Sequence, residues 1–249
     1  MLGPQVAVGF NGELHSVRCR PTPGFPVGIG QDGGHTPTSV IGQRVDGRMR
    51  VIGALTSEDA RMRQHVQHVL LPWLSEHAPW VLDSPDMLRV WYDPSLDTDE
   101  QADIEANPIR IMRQLLRGRY LMGPVSWDGR KNPMLATLNA MHGGKPVLEV
   151  DPVQARGLVR ALDGGWYYAT GPDGRIRKAD TSSGSAQPKK PNHPHEDFGD
   201  AFCYLVAGMA PTSAPRQQGP RARTKIDFSP FRLTEPAQRN PSRVSFEVF

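Results

Sequence analysis

Four aspartates stand at the ends of predicted strands or on the last predicted helix, where they could share one site. Asp32 and Asp93 each follow or end a predicted strand, and Asp197 and Asp200 lie on the helix. Positions 197 and 200 are about 60° apart around a helix, so both carboxylates lie on one side of it. Carboxylates from distant segments are the hard oxygen ligands that Mg²⁺ and Mn²⁺ prefer, and two such ions can catalyse phosphoryl displacement.

The same aspartates also have a purely structural interpretation. The chain has 26 acidic residues, so several fall at strand ends or helix starts by chance. Asp93 precedes Pro94 and would then only end a strand, while Asp197 would only place negative charge near a helix N-terminus. Spacing alone leaves both interpretations open.

Basic side chains cluster on a predicted hairpin and in the loop after it. The turn signal Gly171-Pro172-Asp173-Gly174 separates two short predicted strands. The basic residues are Arg175, Arg177, Lys178, Lys189 and Lys190. We interpret them as candidates for contacts with DNA phosphates, with ordinary solvated charge as the alternative.

A histidine pair is a weaker candidate. His65 and His68 lie three residues apart on a predicted helix. Because no Cys or carboxylate companion accompanies them, we interpret them as helix residues rather than as metal ligands.

The elements that must position these residues alternate after an initial run of strands. Strands are predicted at residues 5–10, 27–32, 37–43, 48–54, 87–92, 119–122 and 146–150. Helices are predicted to open at residues 56–58 and to cover residues 107–117, 133–142, 153–162 and 196–207. This order predicts an α/β fold with a mixed sheet and helices on both faces.

Composition and charge divide the chain into a domain and a tail. Of its 249 residues, 211–249 carry seven basic and three acidic groups, whereas residues 1–210 carry 22 basic and 23 acidic groups. We therefore predict a domain over 1–210 and a flexible, basic, Pro-rich tail over 211–249. The tail either binds a polyanionic partner or is simply a solvated extension, and the sequence leaves both interpretations open. No apolar run is long enough for a membrane span and no secretory signal is evident, so we expect no membrane partner. Cys19 and Cys203 form no CxxC pair, so neither structural zinc nor a disulfide framework is expected.

Several motifs follow one another along the chain in the same order as the motifs of one known protein family. Asp32-Gly33-Gly34-His35-Thr36-Pro37 resembles the Asp-x-Gly-x-Thr-Pro opening of the nuclease domain of tailed-phage large terminase subunits. Tyr92-Asp93-Pro94 resembles the second acidic strand end of that family. Gly165-Trp166-Tyr167-Tyr168 resembles its hairpin, and residues 191–204 resemble its last motif, in which a helix supplies the final carboxylate.

The resemblance implies an RNase H-like fold, with a β-hairpin before the last helix. It also implies a nuclease that cuts concatemeric double-stranded viral DNA by phosphodiester hydrolysis with two divalent ions, Mg²⁺ or Mn²⁺. Asp32, Asp93 and Asp200 would be the catalytic metal ligands. Many members have a histidine one turn before the last aspartate, where this sequence has Asp197 as a further candidate ligand. A location in the host cytoplasm follows from the same resemblance.

The resemblance further implies partners: viral DNA, a terminase ATPase domain or subunit, a small terminase subunit and the portal protein. No G-x-x-x-x-G-K-[ST] loop occurs in the sequence, so we expect no ATPase activity from this chain. Two alternatives remain at this point. One is another RNase H-like nuclease, of the junction-resolvase or integrase type, and the other is a non-catalytic module that docks to the packaging motor.

Overall fold

A six-stranded mixed sheet forms the centre of the molecule. The computed structural model describes residues 4–33, 36–97, 107–170, 176–178 and 194–210. The strands of the main sheet are β1 (Val27–Asp32), β2 (Thr38–Val45), β3 (Arg48–Thr56), β4 (Leu88–Tyr92), β5 (Arg119–Met122) and β8 (Leu148–Val150). They lie in the order β5-β4-β1-β2-β3-β8. Strands β1, β2 and β3 form an antiparallel meander, while β4 and β5 extend it in parallel from β1 and β8 runs parallel to β3.

The described part of the chain also contains two small antiparallel pairs and eight α-helices. The pairs are β6 (Met141–His142) with β7 (Lys145–Pro146), and β9 (Tyr168–Thr170) with β10 (Ile176–Lys178). The helices are α1 (Gly12–His15), α2 (Met62–His65), α3 (Leu71–His77), α4 (Trp80–Asp83), α5 (Pro108–Leu115), α6 (Trp127–Asn139), α7 (Arg156–Arg160) and α8 (His195–Met209). A π-helical turn, Val66–Leu70, joins α2 to α3.

The sheet separates two apolar cores because alternate side chains of a strand point to opposite faces. Val27 and Ile29 of β1 face one core, which includes residues of α2, α3 and α5. Gly28 and Gly30 face the other core, which is built mainly by α6, α7 and α8. The prediction of a mixed sheet with helices on both faces is thereby confirmed.

The predicted hairpin before the last helix is also present, as β9 paired with β10. Trp166, just before β9, is buried and fills the space above Gly199 of α8. The turn at residues 171–174 lies outside the described residues, as does the predicted tail at 211–249. Within the described part of the chain, no helix is long and apolar enough to cross a membrane.

Several predicted elements differ from the structure at their ends, and three differ most. Residues 5–10 are not a strand, because Gly9 has a left-handed backbone (φ +105°) and Asn11 instead caps helix α1. The second helix begins at Met62 rather than at residues 56–58, because those residues belong to β3 and the turn after it. Helix α6 begins at Trp127 rather than at Pro133, because the Ser126 side chain caps it by accepting a bond from the Gly129 amide.

Candidate metal centre

Strand register places Asp32 and Asp93 beside each other. Strands β1 and β4 are parallel with Gln31 opposite Tyr92, and the amide of Asp93 donates to the Gln31 carbonyl at 3.1 Å. The next residue on each strand is an aspartate, and neighbouring strands lie about 4.8 Å apart. Asp93 also caps the short helical turn after β4, because its Oδ1 accepts from the Ser95 amide at 2.8 Å.

Glycines on β1 allow helix α8 to lie directly on this part of the sheet. A methyl group added to Gly30 would stand 1.9 Å from the Ala201 carbonyl of α8, and one added to Gly28 would meet Trp91 and Leu205. Asp32 has the same parity along β1 as these glycines, so its side chain points to the α8 face. Asp200 precedes Ala201 on this helix, and its carboxylate lies near Asp93 because both act on the same guanidinium, that of Arg130.

The packing of α8 against the sheet therefore also positions Asp200, the third candidate ligand. Asp200 is 13% exposed and Asp32 is 9% exposed, so both carboxylates are largely removed from solvent. Asp197 lies one turn earlier on α8 and is half-buried. The structure thus brings Asp32, Asp93 and Asp200 to one end of the sheet, with Asp197 on the helix that covers it.

The predicted DNA-contact residues are only partly within the described chain. Arg177 and Lys178 lie on β10, opposite Ala169 and Tyr168. Arg175, Lys189 and Lys190 lie outside the described residues, so the predicted contacts remain predictions.

Two residues that sequence reasoning missed, Arg130 of α6 and Tyr204 of α8, also face the carboxylates. The Arg130 guanidinium donates to the Tyr204 hydroxyl at 2.7 Å and lies 3.9 Å from the Asp200 carboxylate. It stacks over the Tyr204 and Trp127 rings at 5.2 and 5.6 Å from their centroids. The cap at Ser126, followed by an acidic first turn, was the available signal that a helix there would carry Arg130.

Electrostatic coupling links this pair to the aspartates. Burial raises the pKa of the Tyr204 hydroxyl, and the charge of Asp93, a hydrogen bond with Asp93 and the charge of Asp32 also raise it, against an opposing effect of Arg130. Burial lowers the pKa of Arg130, but Tyr204, Asp200 and Asp93 outweigh that effect and leave it above its usual value. Tyr204 is thus a neutral hydroxyl between a carboxylate and a guanidinium.

A buried chain of hydrogen bonds supports Asp32 from the other face of the sheet. The Gln31 amide donates to the Asp32 carbonyl at 2.7 Å, and the Ser39 hydroxyl donates to Gln31 Oε1 at 2.5 Å. His65 Nε2 lies 2.9 Å from the Ser39 hydroxyl, and Ser57 lies 2.7 Å from His65 Nδ1. Because the Ser39 hydroxyl already donates to Gln31, it must accept the hydrogen bond from His65. His65 therefore carries its proton on Nε2, and its Nδ1 accepts from the Ser57 hydroxyl.

The donor chemistry of the site fits a hard divalent cation. Three carboxylates on rigid elements could supply the oxygen ligands and negative charge that Mg²⁺ and Mn²⁺ require. The described residues are nevertheless not arranged as a finished coordination shell, because no group of three His, Cys, Asp or Glu side chains among them is close enough to hold an ion. The site is therefore a set of suitable donors with a guanidinium beside it.

Strand order, connectivity and the covering helix define the fold class as RNase H-like, as the sequence motifs predicted. The large terminase of a thermophilic bacteriophage superposes with a TM-score of 0.58 at 14% identity, over 84% of this chain and 46% of the phage chain. The large terminase nuclease from thermophilic phage G20c, crystallised with bound magnesium, superposes with a TM-score of 0.50 at 14% identity, over 82% of this chain and 97% of that one. A second G20c structure has bound cobalt.

These comparisons show that the chain shares its fold with large terminase nuclease domains, which confirms the predicted resemblance at the level of the fold. The chain spans about half the length of the first of these large terminases. No family model matches the sequence, and no curated protein matches it.

Proposed function

We propose that this chain is a divalent-metal-dependent DNA endonuclease domain of the terminase type, which hydrolyses phosphodiester bonds in concatemeric double-stranded viral DNA. The observation that carries the proposal is the convergence of Asp32, Asp93 and Asp200 at one end of the sheet, in a fold shared with phage large terminases. The metal-bound G20c nuclease structures support a divalent cation as the cofactor.

Each carboxylate has a distinct place in the proposed site. Asp32 ends the central strand and would help to hold both ions, with Asp93 on the neighbouring strand and Asp200 on the helix above as the other ligands. Asp197, one turn before Asp200, is a further ligand candidate. Two divalent ions bound there would supply an activated water and stabilise the leaving oxygen of the phosphodiester.

The protein's own contribution is rigid placement of these groups. Asp93 is fixed by the bond from its amide to Gln31 and by its cap of the next turn. Asp32 is held from behind by Gln31. Helix α8 lies directly on β1, because its backbone approaches Gly30 too closely to leave room for a side chain there. Such fixed geometry removes reorganisation from the chemical step.

We propose that the substrate is bound through its phosphates. Arg177 and Lys178 of the hairpin, with Arg175, Lys189 and Lys190 nearby in the sequence, would supply positive charge whose contribution falls as salt concentration rises. Phosphate contacts position DNA without specifying sequence, so this domain would cut without strong sequence preference. The proposed partners are a terminase ATPase domain or subunit, a small terminase subunit and the portal protein, in the host cytoplasm.

Cleavage of supercoiled plasmid tests the proposal. The chain is incubated with Mn²⁺, Mg²⁺ or EDTA, beside Asp93→Asn and a control, Asp128→Asn, whose carboxylate is 77% exposed on α6 and pairs with Lys131. We expect metal-dependent nicking and linearisation that falls at least about 100-fold in Asp93→Asn. Asp128→Asn should cut like the wild type.

Two other outcomes would redirect the assignment. Faster cutting of four-way junctions than of linear duplex would favour a resolvase-type nuclease with the same fold. A folded wild type that cuts nothing with any of the ions, but still binds a terminase ATPase, would favour a non-catalytic docking module.

A further inference from the structure

Arg130 is an unusual neighbour for a cation-binding site, because it places a positive charge among the carboxylates. Its guanidinium lies 3.9 Å from the Asp200 carboxylate, and its side chain is only 15% exposed. An interaction at this distance and degree of burial is screened far less than a surface ion pair. Asp93 acts on the same guanidinium.

The guanidinium is also held firmly in place. The Tyr204 hydroxyl accepts from it at 2.7 Å, and the rings of Tyr204 and Trp127 lie against it. Tyr204 in turn sits on Gly123, where any added methyl group would collide with its ring at 2.3 Å. A flexible surface arginine would have none of these restraints.

Carboxylates that converge without a cation repel one another, which destabilises the folded arrangement that holds them together. Arg130 lies where it opposes that repulsion. The same positive charge must also weaken the attraction of the site for a divalent ion, because it raises the local electrostatic potential.

We propose that Arg130 is a built-in counter-ion that stabilises the carboxylate cluster in the metal-free protein and lowers its affinity for divalent cations. Tyr204 is the positioning residue that holds the guanidinium against the cluster. The inference rests on the proposed function for its second half, the metal affinity, while its first half concerns the metal-free fold alone.

Three variants of the full chain test the metal half by isothermal titration calorimetry with Mn²⁺. Arg130→Met removes the charge but keeps an apolar stem, Arg130→Lys keeps the charge, and Lys131→Met removes the next cation of the same helix, which pairs with Asp128 instead. We expect Arg130→Met to bind Mn²⁺ about tenfold more tightly than the wild type. The Mn²⁺ affinity of Arg130→Lys should lie between those of the wild type and Arg130→Met, and the affinity of Lys131→Met should match that of the wild type.

Thermal unfolding in EDTA tests the metal-free half through a double-mutant cycle. Arg130→Met should lower the melting temperature by about 3 °C or more in the otherwise wild-type chain. The decrease should be much smaller in an Asp200→Asn background, because one of the carboxylates that Arg130 stabilises is already neutral there. In saturating Mn²⁺ the deficit of Arg130→Met should shrink, because the ion replaces the guanidinium.

Several results would overturn the inference. Equal loss of melting temperature with and without Mn²⁺, additive with Asp200→Asn, would make Arg130 a packing residue only. Unchanged Mn²⁺ affinity with slower cutting would place its action on the DNA phosphate instead. A wild type that neither binds Mn²⁺ nor cuts DNA would refute the proposed function, but the cycle in EDTA would still decide the counter-ion role.

Discussion

The buried histidine behind Asp32 gives the protein a specific dependence of stability on pH. His65 is fully buried, and burial lowers its pKa from 6.5 to about 4. In the unfolded chain the histidine takes up a proton below pH 6.5, whereas the folded protein resists protonation until about pH 4. Between these values the unfolded state binds more protons, so the free energy of unfolding falls as pH falls.

The magnitude follows from the separation of the two pKa values. A difference of about 2.5 between the two pKa values corresponds to a loss of about 3 kcal/mol in the free energy of unfolding. This loss is absent above pH 6.5 and complete below pH 4. Protonation also removes the acceptor on His65 Nδ1, and with it the bond from Ser57. That loss belongs to the same linkage and is not an additional cost.

Urea unfolding at a series of pH values from 4 to 7.5 measures this effect. His65→Gln cannot titrate, so its free energy of unfolding should vary less with pH than that of the wild type, by about 3 kcal/mol across the window. His68→Gln is the matched control, because His68 is exposed three residues further along the same helical segment. If the free energies of unfolding of the wild type and His65→Gln changed in parallel with pH, His65 would not be a buried, neutral histidine in the folded protein.

Three further predictions concern the site. Gly30→Ala should lower the free energy of unfolding by about 3 kcal/mol or more, because the new methyl group collides with the Ala201 carbonyl, whereas Gly12→Ala, in open space, should change urea unfolding little. Tyr204→Phe should keep the fold in circular dichroism but bind Mn²⁺ differently from the wild type in calorimetry, because Arg130 loses the oxygen that orients it; identical isotherms would contradict this. Asp197→Asn should weaken Mn²⁺ binding less than Asp200→Asn does, and the reverse order in the same titration would exchange their roles.

The position of the carboxylates could be predicted because it depends on short-range patterns. A strand that ends in an aspartate leaves that residue at one end of the sheet, and the alternation of side chains along β1 puts Gly28, Gly30 and Asp32 on a common face. Strand β5 was predicted at its observed bounds, and β1 likewise. The motifs in order then supplied the RNase H-like connectivity that the structure has.

Arg130 and the network behind Asp32 could not be predicted in the same way, because they depend on contacts between distant segments. Arg130 meets Tyr204 across 74 residues of sequence, and its helix was predicted to begin three residues after it. His65 meets Ser39 across 26 residues, on the opposite face of the sheet from the aspartates. Polar residues of these types are usually exposed, so only the packed structure shows that they are buried together.

The position of bound Mn²⁺ decides whether the three carboxylates form a metal centre. Crystals of the wild type soaked in Mn²⁺ should show anomalous scattering peaks bound by Asp32, Asp93 and Asp200, with metal–oxygen distances of about 2.1 Å, after small movements of these side chains. Crystals of Asp32→Asn should lose at least one peak. Ordered Mn²⁺ bound elsewhere on the protein, with the three carboxylates still facing Arg130 and no peak among them, would show that they do not form one metal centre.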